Sequence, residues 1–494
     1  MIKGGVTFVY DDVVPVTNDI RASTGVRAFG DLLSRGIRLR ESLTGLLMGA
    51  GCAETVHLLN LREVSDLQER TRIGSGTHRF LVLPSNRVPS LAETETRQFL
   101  RKFLHLSMPV VLVDDDRQPT GGLLLDTALL HGYLSAILAD VRADYLDDLL
   151  EQCELVPDGL KLVDLRDQIA FTEFLSSGFS VRHFNQIDQD RFLVVKRSAD
   201  KDKMRREATY HRLLPDHVQH FFVQPFGLSE DASGASYRMR RLYVPDCAVQ
   251  WVHRAFAPAD YERFLDHVCH FLTVRPAREV AQADAQRRAD KLYVDKVRDR
   301  IEVLMQTAVG RDVDALLLAG HQGGVKALLK DYLLVHAQLT KQRRPTRLAL
   351  THGDLCFSNI LYSQPSQLLQ LIDPRGADTD DELYDDAYYD VAKLSHSVLG
   401  GYDLIHAGLY HLVYSADLVL SIELDQAGLA DLQASFVRRI ENLGYDSQLM
   451  RLYEASLFLS MLPLHVDAPK KALAFALRAR QIVDALSSAR NSRT

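Results

Sequence analysis

Thr351-His352-Gly353-Asp354-Leu355-Cys356-Phe357-Ser358-Asn359-Ile360-Leu361-Tyr362, followed closely by Leu371-Ile372-Asp373-Pro374-Arg375-Gly376, decides how the second half of this chain is read. Glycine, serine and asparagine in the first run mark a tight loop, and the Ile-Leu-Tyr that follows reads as a short strand. Residues 368–372, Leu-Leu-Gln-Leu-Ile, read as a second strand that ends at Asp373. The pattern therefore gathers one carboxylate and one carboxamide on a loop, and a second carboxylate at the end of the next strand. Such hard oxygen donors suit a divalent cation.

Phosphoryl transfer from a nucleotide needs a carboxylate to orient the acceptor hydroxyl and take its proton, and magnesium to bridge the phosphates. Asp354 stands five residues before Asn359. That is the spacing of base aspartate to metal-binding asparagine in H-x-D-x-x-x-x-N. A carboxylate at Asp373 can complete the metal site, as the aspartate of the kinase Asp-Phe-Gly triplet does. The two runs together closely resemble the aminoglycoside-phosphotransferase/choline-kinase-like superfamily, including its capsule-locus sugar and alcohol phosphotransferases. The resemblance implies Asp354 as catalytic base and Asn359 and Asp373 as magnesium ligands. It also implies a two-lobed α+β protein-kinase-like fold with a large helical C-lobe, ATP or GTP with Mg2+ as cofactors, and a small-molecule acceptor.

Tyr388-Tyr389-Asp390-Val391-Ala392-Lys393-Leu394 resembles the superfamily's Y-D-x-A-K-L helix. Asp390 there would brace the catalytic loop through its backbone, or serve as an ordinary helix N-cap. His352 is expected to hold the loop in shape rather than carry protons. Arg375 is expected to meet a phosphate or to pair with a nearby acid such as Asp378. Gly400-Gly401-Tyr402-Asp403 is a candidate for shaping the acceptor pocket.

A kinase also needs a strand lysine on the nucleotide phosphates and a helical glutamate to aim it. Phe192-Leu193-Val194-Val195-Lys196 reads as a strand ending in lysine, and residues 201–214 read as a helix carrying Glu207. Lys196 is the expected nucleotide lysine; the plainer alternative is a solvated strand end. The gap to Glu207 is short and requires a tight connection. Ser176-Ser177-Gly178-Phe179-Ser180 is the expected phosphate-covering loop, in which Ser177 and Gly178 would cradle phosphate through backbone N–H groups and hydroxyls. Tyr237-Arg238-Met239-Arg240-Arg241-Leu242-Tyr243-Val244-Pro245 reads as an edge strand and hinge for an adenine, or as a plain buried strand.

Beyond residue 404 the pattern reads as helical. His465 and Asp467 are candidates for the acceptor cleft, with structural roles as the alternative. The basic tail from Arg478 to Arg493 reads as a solvated helix end.

Residues 1–150 read as an α/β domain with a partly parallel sheet, because apolar runs such as Val6-Thr7-Phe8-Val9-Tyr10 and Val110-Val111-Leu112-Val113 alternate with helical segments. Pro15-Val16-Thr17-Asn18-Asp19-Ile20-Arg21 and Leu83-Pro84-Ser85-Asn86 are faintly similar to the start of sugar nucleotidyltransferases, whose G-x-G-T-R loop is missing here. Gly49-Ala50-Gly51 follows a helix and makes a poor phosphate loop. Asp114-Asp115-Asp116 could hold a metal or form an acidic surface turn. The domain is expected to be a degenerate one, for regulation, substrate capture or assembly. The acidic segment 145–155 and Pro157-Asp158-Gly159 read as the link to a kinase-like N-lobe at 165–250 and a C-lobe at 251–494.

The 494 residues carry a net charge of −7, which argues against broad nucleic-acid binding. No apolar run approaches the ~20 residues of a membrane span, and the N-terminal residues lack a signal-peptide pattern; a cytoplasmic location is expected. Five scattered cysteines suggest neither a zinc site nor a disulfide framework. The resemblance implies an ATP- and magnesium-dependent kinase of a small-molecule hydroxyl, that of a sugar or polyol of surface-polysaccharide metabolism. The alternatives are a nucleotide-binding pseudokinase or scaffold without turnover, and a bifunctional enzyme whose first domain transfers nucleotides.

Overall fold

Every residue of the strand Val6–Asp11 is buried, as a strand covered on both faces requires. It is paired in parallel with Glu54–Leu58 on one side and Arg79–Pro84 on the other. The six-stranded sheet continues through Pro119–Asp126, antiparallel to both its neighbours, then Val110–Val113 and the parallel edge strand Glu154–Pro157. Side chains alternate across a strand. Val9, Val82 and Leu123 therefore face helices that supply Val64, Leu67, Leu130 and Leu134. Leu81 and Leu83 face the other way, toward Leu43, Leu47 and Leu100. The result is a sheet with helices on both faces, as the alternation in the sequence indicates.

The computed structural model describes residues 5–34, 37–72, 78–178 and 186–491. The chain divides into two units, Met1–Ser180 and Val181–Thr494. Within the first, the turn at Pro157-Asp158-Gly159 does not lead away. Asp158 accepts backbone N–H bonds from Leu160 and Leu162 at 2.9 and 2.8 Å. The strand Leu162–Asp164 then pairs back onto Arg87–Pro89. Asp114 is an exposed turn residue that accepts from the N–H groups of Asp116 and Gln118. Its neighbours form no metal-type cluster among the described residues.

The second unit begins with an antiparallel sheet in the order Gln186–Gln189, Leu193–Ser198, Ala235–Arg240, Pro225–Glu230. Ala235–Arg240 is thus an inner strand, where the sequence suggested an edge. The helix Lys201–Leu213 lays Met204 and Ala208 on Ala235, Tyr237 and Met239. From Cys247 onward helices dominate, interrupted by the strand Arg347–Leu350 and the hairpin of Ile360–Ser363 with Leu368–Leu371. A small sheet lobe followed by a large helical lobe is the kinase-like arrangement expected from the sequence.

Two features of the helical lobe differ from the sequence reading. Tyr410–Tyr414 and Leu420–Leu424 form a hairpin inside the stretch read as helical; Leu420-Ser421-Ile422-Glu423-Leu424 has the strict alternation of a half-buried strand. The described start of the basic tail lies in the helix Pro469–Asn491, where Arg478 and Arg480 are engaged rather than solvated. Arg478 donates to the carbonyls of Leu399 and Gly400 at 2.6 and 3.0 Å, and Arg480 pairs with Asp331 at 2.7 Å. Both helix-end carbonyls are satisfied by that guanidinium. Among the described residues no helix is long and apolar enough to cross a membrane.

Candidate active site

The loop after Arg347–Leu350 is fixed from behind by Asp390. Its carboxylate accepts the backbone N–H groups of His352 and Gly353, each at 2.9 Å. Asp390 lies in the helix Tyr388–Val398, whose N-cap is Ala387, so the carboxylate does not cap its own helix. Arg275 balances the charge at 2.7 Å, and both side chains are essentially inaccessible. Tyr210 adds a hydroxyl bond to the Thr351 carbonyl at 2.8 Å.

His352 has no solvent contact. Its Nδ1 accepts from the Asp354 N–H at 3.2 Å, so its Nε2 carries the proton and donates to the Ile372 carbonyl at 2.9 Å. The ring stacks on Phe222. Burial lowers its pKa and keeps the imidazole neutral. The histidine therefore ties the loop to the segment that carries Asp373. Gly353 turns at φ +78°, and a Cβ there would meet the Arg375 Cβ at 2.6 Å. Only glycine fits that combination.

Asp354 opens toward solvent with its side chain 30% exposed, and Lys393 Nζ lies 2.7 Å from its Oδ1. Asn359 donates its Nδ2 to the Asp354 carbonyl at 2.8 Å, which fixes the amide and turns its oxygen away from that bond. The Ile372 N–H bonds the Asn359 carbonyl at 3.0 Å, joining the loop to the next strand. Asp373 follows in the left-handed region at φ +55°. A non-glycine residue there stores strain and is held by its surroundings.

Lys196 lies within the strand Leu193–Ser198 and is 3% exposed, which removes the solvated-strand-end alternative. Its Nζ bridges two carboxylates, Glu207 Oε2 at 2.8 Å and Asp373 Oδ1 at 2.9 Å. Burial opposes the ammonium charge, but Asp373 and Glu207 outweigh it and raise the lysine pKa. The Tyr237 hydroxyl donates to Glu207 at 2.9 Å. The short gap between lysine and glutamate is closed because Asp200 caps the helix by accepting the Lys203 N–H at 3.0 Å. Gly376 brings the Asp373 segment against that helix; a Cβ there would sit 2.7 Å from the Glu207 backbone nitrogen.

Other expected residues are placed differently. Ser177 and Gly178 close the helix Gln168–Gly178 instead of forming a loop. Residues 179–185, which include Phe179 and Ser180 of the expected phosphate-covering run, lie outside the described residues. Arg375 pairs with Asp385 at 3.3 Å and lies 4.4 Å over the Tyr389 ring, while Asp378 meets Arg206 instead. His465 is buried against Phe475 and His406, a packing role. Asp403, in the run expected to shape the acceptor pocket, is buried at 2% exposure, and burial raises its pKa to about 7.

Three participants were not singled out from the sequence: Lys393, Arg275 and Tyr210. Lys393 stands in the very run that drew attention to Asp390, one helical turn after Tyr389. A cation on the buried side of a helix was the available signal.

Residues 172–401 match the family model described as the phosphotransferase enzyme family. That segment contains Lys196, Glu207, Asp354, Asn359, Asp373 and Asp390. The resemblance read from the sequence holds over this stretch, which has a kinase-like fold. No curated protein sequence matches the chain. Among solved structures, an aminoglycoside phosphotransferase, APH(3'')-Id from Streptomyces rimosus, aligns at 14% identity over 60% of this chain and 98% of its own, with a TM-score of 0.34. A thermostable mutant of APH(4)-Ia, in ternary complex with ADP and hygromycin B, aligns at 13% identity over 63% of this chain and 97% of its own, with a TM-score of 0.36. A putative fructosamine-3-kinase from Haemophilus somnus aligns at 9% identity over 64% and 94%, with a TM-score of 0.37. Likenesses this distant carry no argument about substrate.

Proposed function

We propose that the chain is an ATP- and magnesium-dependent kinase that phosphorylates a hydroxyl group of a sugar or polyol. One observation carries the reading: a buried lysine, Lys196, joins the helical Glu207 to Asp373, on the segment that His352 ties to the Asp354 loop. Structural ion pairs can be built from any lysine. This one joins the strand lysine, the helical glutamate and the strand-end aspartate that the sequence reading assigned separately to a kinase's nucleotide and metal sites.

In this reading Asp354 accepts the proton of the acceptor hydroxyl and aims its oxygen at the terminal phosphate. Lys393 stabilises the ionised form of that carboxylate. Lys196, aimed by Glu207, contacts the nucleotide phosphates. Asn359 and Asp373 would hold magnesium. Two protein oxygens fit that ion, which usually takes one or two carboxylates and fills its remaining positions with water and phosphate oxygens. When bound, the ion neutralises phosphate charge during transfer. Asp390 and His352 keep the loop in its reactive shape.

The test is magnesium-dependent nucleotide turnover with purified full-length protein against sugars, polyols, amino alcohols and aminoglycosides, with Asp354→Ala as control. Acceptor-dependent turnover that the variant loses supports the kinase. Tight nucleotide binding without turnover on any acceptor would favour the nucleotide-binding scaffold instead.

A further inference from the structure

Around the Tyr389 ring the described cations outnumber their carboxylate partners. Lys393 is paired with Asp354 at 2.7 Å and Arg375 with Asp385 at 3.3 Å. Lys296 has no such partner among the described residues: its Nζ lies 3.0 Å from the Tyr389 hydroxyl and forms no ion pair with a carboxylate. It is only partly buried, and Arg375 is 39% exposed, so solute can reach both.

The tyrosine senses this excess. Burial alone would raise its phenol pKa, yet Lys296, Arg375 and Lys393 outweigh burial and lower it to about 7. Tyr389 is 2% exposed, so the field acts in a poorly solvated place where charge is weakly screened. Lys393 lies four residues after Tyr389, which puts the two on one helix face, with Cβ atoms about 5–6 Å apart.

We propose that this cluster receives an anionic group of the acceptor, so that the substrate is a sugar or polyol already bearing a phosphate or a carboxylate, with Lys296 as its counter-ion. The inference rests on the reading of Asp354 as the kinase base. It accounts for a lysine aimed at a phenol rather than at an acid. It also sets this site against polycationic acceptors: aminoglycoside ammonium groups placed here would meet like charge, and like-charge juxtaposition is a strong means of rejection.

The test is calorimetric titration of the full-length protein saturated with a non-hydrolysable Mg-ATP analogue, which fills all three of the nucleotide's phosphate positions. Inorganic phosphate and glucuronate are the probes, with glucose and kanamycin as controls, on wild type, Lys296→Gln and Lys296→Arg. The expected result is binding of at least one anion, weakened about tenfold or more by Lys296→Gln and largely retained by Lys296→Arg. Phosphate alone would assign a phosphorylated acceptor, and glucuronate alone an acidic sugar. The bound anion should also raise the Tyr389 phenol pKa, seen as lost tyrosinate absorbance in the near ultraviolet. Anion affinity unchanged in Lys296→Gln, absence of binding by both anions, or tighter binding of kanamycin would overturn the inference. The titration needs no turnover, so its failure is distinct from failure of the kinase reading, which the acceptor screen measures.

Discussion

Lys393 sets its ammonium nitrogen 2.7 Å from Asp354 Oδ1, with only 12% of the lysine side chain exposed. The contact crosses from the helix Tyr388–Val398 to the loop that holds the proposed base. Burial opposes this charge, but Asp354 outweighs it and raises the lysine pKa, so the pair stands as ammonium and carboxylate at neutral pH. The loop itself offers Leu355, Cys356 and Phe357 after the aspartate, and the helix supplies the cation.

Lys393→Gln should therefore lower kcat by about a hundredfold, within the usual range for a general-base contribution. The KM for ATP should change little. Loss of a neighbouring cation raises a carboxylate pKa, so the acid limb of the kcat–pH profile should move to higher pH. Lys393→Arg should restore part of both. An unshifted acid limb in an active Lys393→Gln protein would remove the lysine from this role.

Asp354→Ala and Asp373→Ala should separate chemistry from nucleotide binding. The first should cut turnover by about 10²–10⁴-fold while leaving Mg-ATP affinity nearly intact. The second removes both a metal ligand and a partner of Lys196, and should weaken Mg-ATP binding itself. Titration of each variant with a non-hydrolysable nucleotide, with and without magnesium, reads the difference. Wild-type turnover in both variants would mean the centre is misplaced.

What the sequence revealed and what it hid follow from the range of the interactions. His352, Gly353, Asp354 and Asn359 work through bonds within one loop, such as Asn359 to the Asp354 carbonyl, and local chemistry leaves a fixed spacing. Lys196 and Glu207 were legible because strand, cap and helix follow one another directly. Lys393 and Arg275 act across the fold, and no spacing announces such partners. The phosphate-loop reading of Ser177 and Gly178 treated a glycine as a loop marker where it ends a helix. Phe171 and Leu175, four apart and both buried, carried the helical period. The inner strand Ala235–Arg240 looked like an edge because sheet order is set by pairing at a distance.

Asp390→Ala should be among the most damaging single changes in the second unit. It would leave the Arg275 guanidinium buried without its counter-charge and two loop N–H groups unsatisfied. Removing one member of a buried pair costs about 3–5 kcal/mol. Asp390→Asn keeps an acceptor for one N–H and should be milder in stability, yet it should still lose activity because the loop is held at one point instead of two. Denaturant melts beside turnover for both variants test this; equal stability of Asp390→Ala and wild type would contradict it.

The buried histidines contribute stability that should be lost as pH drops below about 6.5, opposite in sign to Asp403, whose raised pKa favours the fold as pH falls. Burial lowers the pKa of His253 from 6.5 to about 4 and also lowers that of His352. Each is neutral in the fold and gains a proton more readily when unfolded. Between the folded and unfolded pKa values the unfolded chain therefore binds more protons, so stability rises with pH there. The contribution is complete above the unfolded value of 6.5 and is lost as pH falls; for His253 the loss runs down to about 4. His352 must also surrender the Asp354 N–H when its Nδ1 is protonated, so acid should loosen the loop before the whole unit unfolds. With Tm measured from pH 7.5 to pH 4.5, roughly spanning the window, wild type should lose stability relative to His253→Gln as the pH falls. Turnover should be lost at a higher pH than the fold. The same slope of Tm against pH in wild type and His253→Gln would refute buried neutral histidines as a source of acid sensitivity.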